Sequence, residues 1–180
     1  MNKTAFFLTV GLFITLHMTQ AQPKPGKEKI VVALPEEYRW KSARIPKDTK
    51  AIRGTEYRVA GKNAQDAPVQ TVTVTTIDRR YYPMKAAGMP EEKWEYEKAA
   101  CIDAELEIVD RKEQDGRTAI LYSIKSAKSG ESECGSTTLL TYVAEGPTAF
   151  HTVELAIPQD QLTPVLYKQW CDALLASRIE

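Results

Sequence analysis

The chain is 180 residues long, with 24 Lys+Arg set against 24 Asp+Glu and only two histidines, so its formal net charge is zero. The charges alternate in sign and form no long run. That gives no general electrostatic pull toward nucleic acid or anionic lipid, and neither is expected as a partner.

The N-terminus reads as an export signal. Lys3 supplies a positive start, and Ala5 to Leu16 (AFFLTVGLFITL) is a nearly unbroken apolar run of 12 residues. A spanning helix needs roughly 20 apolar residues, so the run suits the core of a signal peptide better. Thr19 and Ala21 have the small side chains and the spacing of a cleavage site. The expected cut follows Ala21, residues 1–21 are the signal, and 22–28 (QPKPGKE) form a flexible leader. His17 leaves with the signal, and so does Lys3, which puts the mature net charge near −1. No cysteine follows the cut, so no lipid anchor is indicated. The expected product is periplasmic or secreted, with no membrane anchor after cleavage. The remaining 159 residues suit a single domain with one core, expected over 29–180.

From Lys29 the chain is β-rich. Lys29 to Leu34 (KIVVAL) predicts a short strand stopped by Pro35. Tyr38 to Ile45 predicts a second, and Gly54 to Ala60 a third. Val69 to Ile77 (VQTVTVTTI) is dense in β-branched residues, which suit a pleated surface. The character changes in the segment after it. Pro90 fits a first helical position, Glu91 and Glu92 lie at the positive end of the helix dipole, and Lys98 lies at the negative end. These predict a helix from Pro90 to about Ala100, resting on the surface with Trp94 as its main anchor.

An antiparallel meander follows. Ile102, Ala104, Leu106 and Ile108 alternate with Asp103, Glu105 and Glu107, which predicts a strand with one wet face. Asp115-Gly116 is a hairpin signal. Thr118 to Lys125, Thr137 to Ala144 and Ala149 to Ile157 complete the sheet, with the second of these central because it is apolar on both faces. The last helix starts at Thr163 as N-cap with Pro164 first, and Leu162 and Tyr167 stand at the spacing of a hydrophobic staple. Leu166, Trp170 and Leu174 form its apolar stripe. The fold class predicted is α+β: a curved antiparallel sheet packed by a C-terminal amphipathic helix and by a shorter helix in an insertion.

Chemical motifs are scarce. After the cut only His151 remains, so a histidine-rich zinc site cannot be built, and the common hydrolase, metalloprotease, P-loop and C-x-x-C signatures are missing. No cofactor, metal or catalytic residue is predicted. His151 shares strand parity with Val153, Leu155 and Ile157, so it is expected on the covered face as a hydrogen-bonded core histidine; the sharper alternative makes it the general base of a hydrolase. Asp103, Glu105 and Glu107 spread over about 13 Å at about 3.3 Å per residue, which suits a solvated strand better than a calcium site. Of the three cysteines in the mature chain, Cys101 and Cys134 fall at one end of neighbouring strands and are expected to form a disulfide. Cys171 flanks the apolar stripe of the last helix and is expected as a buried thiol.

The remaining candidate is DRRYYP (Asp78 to Pro83). Arg and Tyr are enriched where proteins meet partners. With Trp94 nearby in sequence, Arg79, Arg80, Tyr81 and Tyr82 form a candidate binding surface. Alternatively, the tyrosines cap the core and the arginines pair with acidic neighbours.

The order of elements, with VALPEEYRW, GTEYRV, VQTVTVTTI, YVAEGPTAFHTVELAIP and YKQWCDALLASRI, resembles the PsbP-like α/β sandwich. Its anchors here are Leu34-Pro35, Trp40, Gly146 and Trp170, over most of residues 29–179. The fold group includes an extrinsic photosystem subunit and small bacterial envelope proteins of unassigned role. The resemblance implies a fold and carries no active site; the 78–100 insertion departs from its simplest form. Together these readings lead to an exported, non-enzymatic binding or accessory protein of the bacterial cell envelope, whose partner is a protein or a small-molecule ligand that the sequence does not name. An immunity or inhibitor protein against a toxin is the alternative, followed by a hydrolase using His151.

Overall fold

A computed structural model describes residues 28–46, 49–61, 64–101, 103–126 and 135–180. Among the described residues, nine strands and two α-helices occur in the order β1 (Ile30–Val31), β2 (Trp40–Ile45), β3 (Ile52–Val59), β4 (Thr71–Asp78), α1 (Met89–Ala100), β5 (Glu105–Gln114), β6 (Arg117–Ser126), β7 (Thr137–Glu145), β8 (Ala149–Pro158), α2 (Pro164–Leu175) and β9 (Arg178–Ile179). A short 3-10 turn at Ala64–Asp66 lies between β3 and β4. The α+β class, the large antiparallel sheet and the two helices are as the sequence predicts. Among the described elements, β9 and the 3-10 turn were not foreseen.

Seven strands form one open antiparallel sheet in the order β2-β3-β4-β8-β7-β6-β5, and β1 and β9 form a separate two-stranded ribbon. Strand β7 is central, flanked by β6 and β8, and its residues alternate between two covered faces. Leu121, Leu140, Val153, Leu155, Val72 and Val74 pack with Trp170, Cys171 and Leu174 of α2 and with Ile30 of the ribbon. Ile120, Tyr122, Ile124, Val143 and Phe150 pack on the opposite face with Ala86, Cys101, Ala104 and the half-buried Trp94 of α1. The sheet therefore lies between helices, α2 and the ribbon on one side and α1 on the other. Two covered faces explain why β6, β7 and β8 are buried at most positions, polar residues included, whereas β2 and β5 at the edges have no buried residue.

Local chemistry fixes the elements. Asp115 and Gly116 both have positive φ, 53° and 69°, as a two-residue hairpin turn between the paired Gln114 and Arg117 requires. Thr163 accepts a hydrogen bond from Leu166 N at 3.2 Å, which caps α2, and Pro164 follows it. Helix α1 has no side-chain cap, and Pro90 is its only buried residue. Trp94 holds it to the sheet, donating from Nε1 to Ala104 O at 2.8 Å. The register of β5 on β6 shifts between Ile108 and Asp110. This bulge carries Asp110 and Lys112 onto the α2 side, the side that Glu107 occupies before it.

The leader boundary moves. Glu28, read from sequence as the last leader residue, is fully buried and belongs to the folded domain. The described chain is clasped there to its other end: Lys29 N donates to Glu180 O and Glu180 N to Lys29 O, both at 2.9 Å.

Candidate functional site

His151 lies on the covered α2 side of β8, as its parity indicates, and it is fully buried. Its Nε2 is 3.0 Å from Glu28 Oε1, and its Nδ1 is 3.0 Å from Thr76 Oγ1 on the neighbouring strand. Glu28 has further donors. Thr148 N and Thr148 Oγ1 reach Oε2 at 2.9 Å each, and Ala149 N reaches Oε1 at 3.1 Å. Arg53 Nη2 donates to the Glu28 carbonyl at 2.7 Å.

The order hydroxyl, imidazole, carboxylate is that of a nucleophile relay. Its burial is not: Glu28 and His151 are 0% exposed and Thr76 is 7%. The arrangement works as a latch that ties the first described residue to the β7–β8 turn. Sequence reasoning placed His151 correctly and missed its partner, because Glu28 looks like one more charge in a polar tether.

One tautomer satisfies the whole set. His151 Nε2–H donates to the Glu28 carboxylate, and the Thr76 hydroxyl donates to Nδ1. Burial pushes the His151 pKa below its ordinary value, overriding the hydrogen bond and charge of Glu28, which pull it up; the charge of Arg53 adds to the lowering. The unfolded chain then binds the proton more readily than the folded one. The stabilisation is complete above about pH 6.5 and is lost as the pH falls from there through the depressed folded value. Thermal melts should show stability dropping as the pH falls below about 6.5, and His151→Gln should flatten that slope relative to the parent. An unchanged slope in the variant would remove His151 as its source.

The 78–100 candidates separate. Arg79 is turned inward. Its Nη1 donates to Gly146 O at 3.0 Å, its Nη2 lies 3.4 Å from Glu145 Oε2, and its backbone N donates to Thr148 O at 3.1 Å. Buried Glu145 also accepts from Ala86 N at 2.9 Å and pairs with Lys85 Nζ at 3.6 Å. Trp94 packs against the sheet, with Lys98 Nζ 4.4 Å from its ring centroid. Arg80, Tyr81 and Tyr82 remain outside. Tyr81 is 66% and Tyr82 44% exposed. Their turn is well tied: Tyr81 N and Tyr82 N both donate to Asp78 O at 3.2 Å, Arg80 Nε and Nη2 bond the Asp78 carboxylate, and the Arg80 guanidinium stands 5.6 Å from the Tyr81 ring centroid.

A second group was not foreseen. On the α2 side of the sheet, Tyr167 Oη lies 3.3 Å from Glu107 Oε2 and 3.2 Å from Ser123 Oγ. Burial pushes the Tyr167 pKa up to about 12, so the phenol stays protonated as a donor. These residues line a cleft beside the start of α2 together with Lys125, Thr138, Leu162, Thr163 and Pro164.

The cysteine expectation is partly outside view. Cys134 lies outside the described residues, so the Cys101–Cys134 bridge remains a proposal; Cys101 is buried at the end of α1. Cys171 is a free, buried thiol, and burial raises its pKa, as expected of an inert cysteine. Among the described residues no group of three or more His, Cys, Asp or Glu could hold a metal ion, and no helix is long and apolar enough to cross a membrane.

An open antiparallel sheet with helices on both faces and a clasped pair of ends places the chain among α+β sandwiches, with a distant, fold-level resemblance to PsbP. It is similar to cyanobacterial PsbP from Synechocystis sp. PCC 6803 at a TM-score of 0.39 and 11% identity, over 77% of this chain and 92% of that one. It is similar also to PA94, a Pseudomonas aeruginosa protein of unknown function, at a TM-score of 0.38 and 14% identity, over 82% and 94% of the two chains. No residue's role is taken from either likeness. No family model and no curated protein matches the sequence.

Proposed function

We propose that the chain is an exported accessory protein of the cell envelope, without catalytic activity of its own, that recognises a protein partner through the Arg80–Tyr81–Tyr82 turn. The observation that carries this reading is the combination of exposure and rigidity. Two tyrosines and an arginine project from a turn whose backbone is bonded to Asp78 and whose neighbour Arg79 is fastened to the β7–β8 turn. Large side chains held in place before contact lose little entropy on binding, and Tyr and Arg are among the residues that most often dominate interface energies. The apolar run at residues 5–16 and the small residues at 19 and 21 support export.

The test is a triple variant, Arg80→Gln with Tyr81→Ala and Tyr82→Ala, used beside the parent in affinity capture from envelope extracts. These side chains cover no core, so the melting temperature should stay within a few degrees of the parent. A partner captured by the parent should be lost, with a weakening of about a thousandfold if two anchors of about 2 kcal/mol each are removed. Equal capture by both would reject the turn as the contact. Arg79 stays untouched in this test, because Arg79→Glu would set a carboxylate beside buried Glu145.

A further inference from the structure

We propose that the cleft at the start of α2 binds a small zwitterion of the amino-acid type with an apolar side chain. This site lies beyond the proposed partner surface. Asp78 pairs with Ala149 at one end of β8, whereas Thr138 pairs with Ile157 at the other, so the two sites are separated by roughly 25 Å of strand.

The cleft has a volume of about 340 Å³, at the small end of the range of roughly 300–1,000 Å³ in which small-molecule sites fall. Its lining combines a polar floor with an apolar wall. Thr138 lies in the floor, 2% exposed, and its Oγ1 has no hydrogen-bond partner among the described residues. A buried hydroxyl left unpaired costs on the order of 1–3 kcal/mol; its oxygen is almost closed to solvent, so a ligand polar atom reaches it, and recovers that penalty, where the side chains above it part. Lys125 is exposed, lies between Thr138 on one side and Glu105 on the other in the register, and forms no ion pair among the described residues. An ammonium beside a free hydroxyl is a seat for a carboxylate.

Glu107 supplies the opposite charge. It pairs in register with Ser123, so it sits diagonally from Lys125 on the same face. Such diagonal neighbours stand roughly 7–8 Å apart, too far for direct contact without reaching, and close enough for one small molecule to touch both. The hydroxyls of Tyr167 and Ser123 hold Glu107 through Oε2 and leave Oε1 for an ammonium. Leu162, Pro164 and the face of the Tyr167 ring offer the apolar wall for the ligand's side chain. A purely anionic ligand would meet Glu105 and Glu107, and a purely cationic one would meet Lys125. A molecule carrying both charges on one carbon satisfies both.

The experiment uses the mature protein with L-leucine and L-phenylalanine as probes, read by saturation-transfer NMR and by titration calorimetry. At least one of the two should bind. N-acetyl-L-leucine, which lacks the ammonium, and L-leucine methyl ester, which lacks the carboxylate, should each bind at least about tenfold more weakly than L-leucine. Lys125→Met, an exposed substitution, should weaken binding to a similar degree without changing the melting temperature. Thr138→Val gives the sharpest readout, because it removes the orphan hydroxyl at nearly constant shape: binding should fall about tenfold while the melting temperature rises. Absence of binding by both amino acids, equal binding of the blocked derivatives, or unaltered affinity in Thr138→Val would each overturn the assignment. The Arg80, Tyr81 and Tyr82 triple variant should keep its affinity for L-leucine, so failure of the partner surface and failure of the cleft are separable.

Discussion

Replacing Glu28 with alanine should lower stability by roughly 3–5 kcal/mol, since each buried donor left without its acceptor costs on the order of 1–3 kcal/mol and several lose theirs at once. For a domain of this size that corresponds to a fall in melting temperature of about 10 °C or more. The substitution leaves His151 Nε2, Thr148 N and Ala149 N without the acceptor they share. It also removes the anchor beneath the β1–β9 ribbon. Gly146→Ala should cost a comparable amount for a purely steric reason: a Cβ on Gly146 would stand 1.7 Å from Glu28 Oε1. The two losses should not add. Once Glu28 is alanine the clash is gone, and the remaining approach, 3.1 Å to Ala149 O, asks only for a small adjustment. Calorimetric or chemical melts of the two single variants and the double variant form a cycle, with an expected coupling of about 2 kcal/mol or more. Additive losses would show that Glu28 and Gly146 act separately, and the latch would then be the wrong description. Because Arg79 bonds the same Gly146 carbonyl, the Glu28→Ala variant should also hold the Arg80–Tyr82 turn less firmly.

Particular residues show what could be read in advance. The β-branched run before Asp78, the Asp115-Gly116 turn and the Thr163-Pro164 start of α2 are local signals, and local physics decided them. Gly146 and Trp170 stood out as anchors of a fold resemblance, and the structure supplies their reasons: Gly146 makes room for a carboxylate, and Trp170 packs edge-to-face on Trp40. What stayed hidden depends on distant partners. Glu28 and His151 are 123 positions apart, and nothing in KPGKEK marks one glutamate as buried. Arg79 and Arg80 are adjacent and chemically identical, yet one turns inward to Glu145 and the other outward to Asp78; a strand end sends successive side chains to opposite sides. Ser123 and Thr138 looked like ordinary strand residues, since a hydroxyl on a β-strand gives no hint of whether a partner will reach it. The bulge after Ile108 breaks the period-two pattern on which parity arguments rest.

Trp170→Ala should be the most damaging single change in the helical layer, at roughly 3–5 kcal/mol. The indole is 0% exposed, lies among Leu140, Val153 and Leu174 in one buried cluster, and meets the Trp40 ring at 6.0 Å and 85°. Truncation would leave a cavity between α2 and the sheet. The same indole, however, has a flaw: its Nε1–H is buried with no acceptor among the described residues. A phenyl ring in its place loses some packing but also removes that unpaired donor, which by itself costs on the order of 1–3 kcal/mol. Trp170→Phe should therefore retain most of the stability, within about 1.5 kcal/mol of the parent. The ordering matters more than either value. If the tryptophan acts as an apolar wedge, phenylalanine lies close to the parent and alanine far below it in urea melts, and α2 stays docked in the first and frays in the second. If instead the indole N–H has a hidden role, the two variants fall together. The first outcome has a consequence for ligand binding as well. Tyr167, one turn before Trp170, forms a wall of the cleft, so Trp170→Phe should preserve amino-acid binding that Trp170→Ala abolishes.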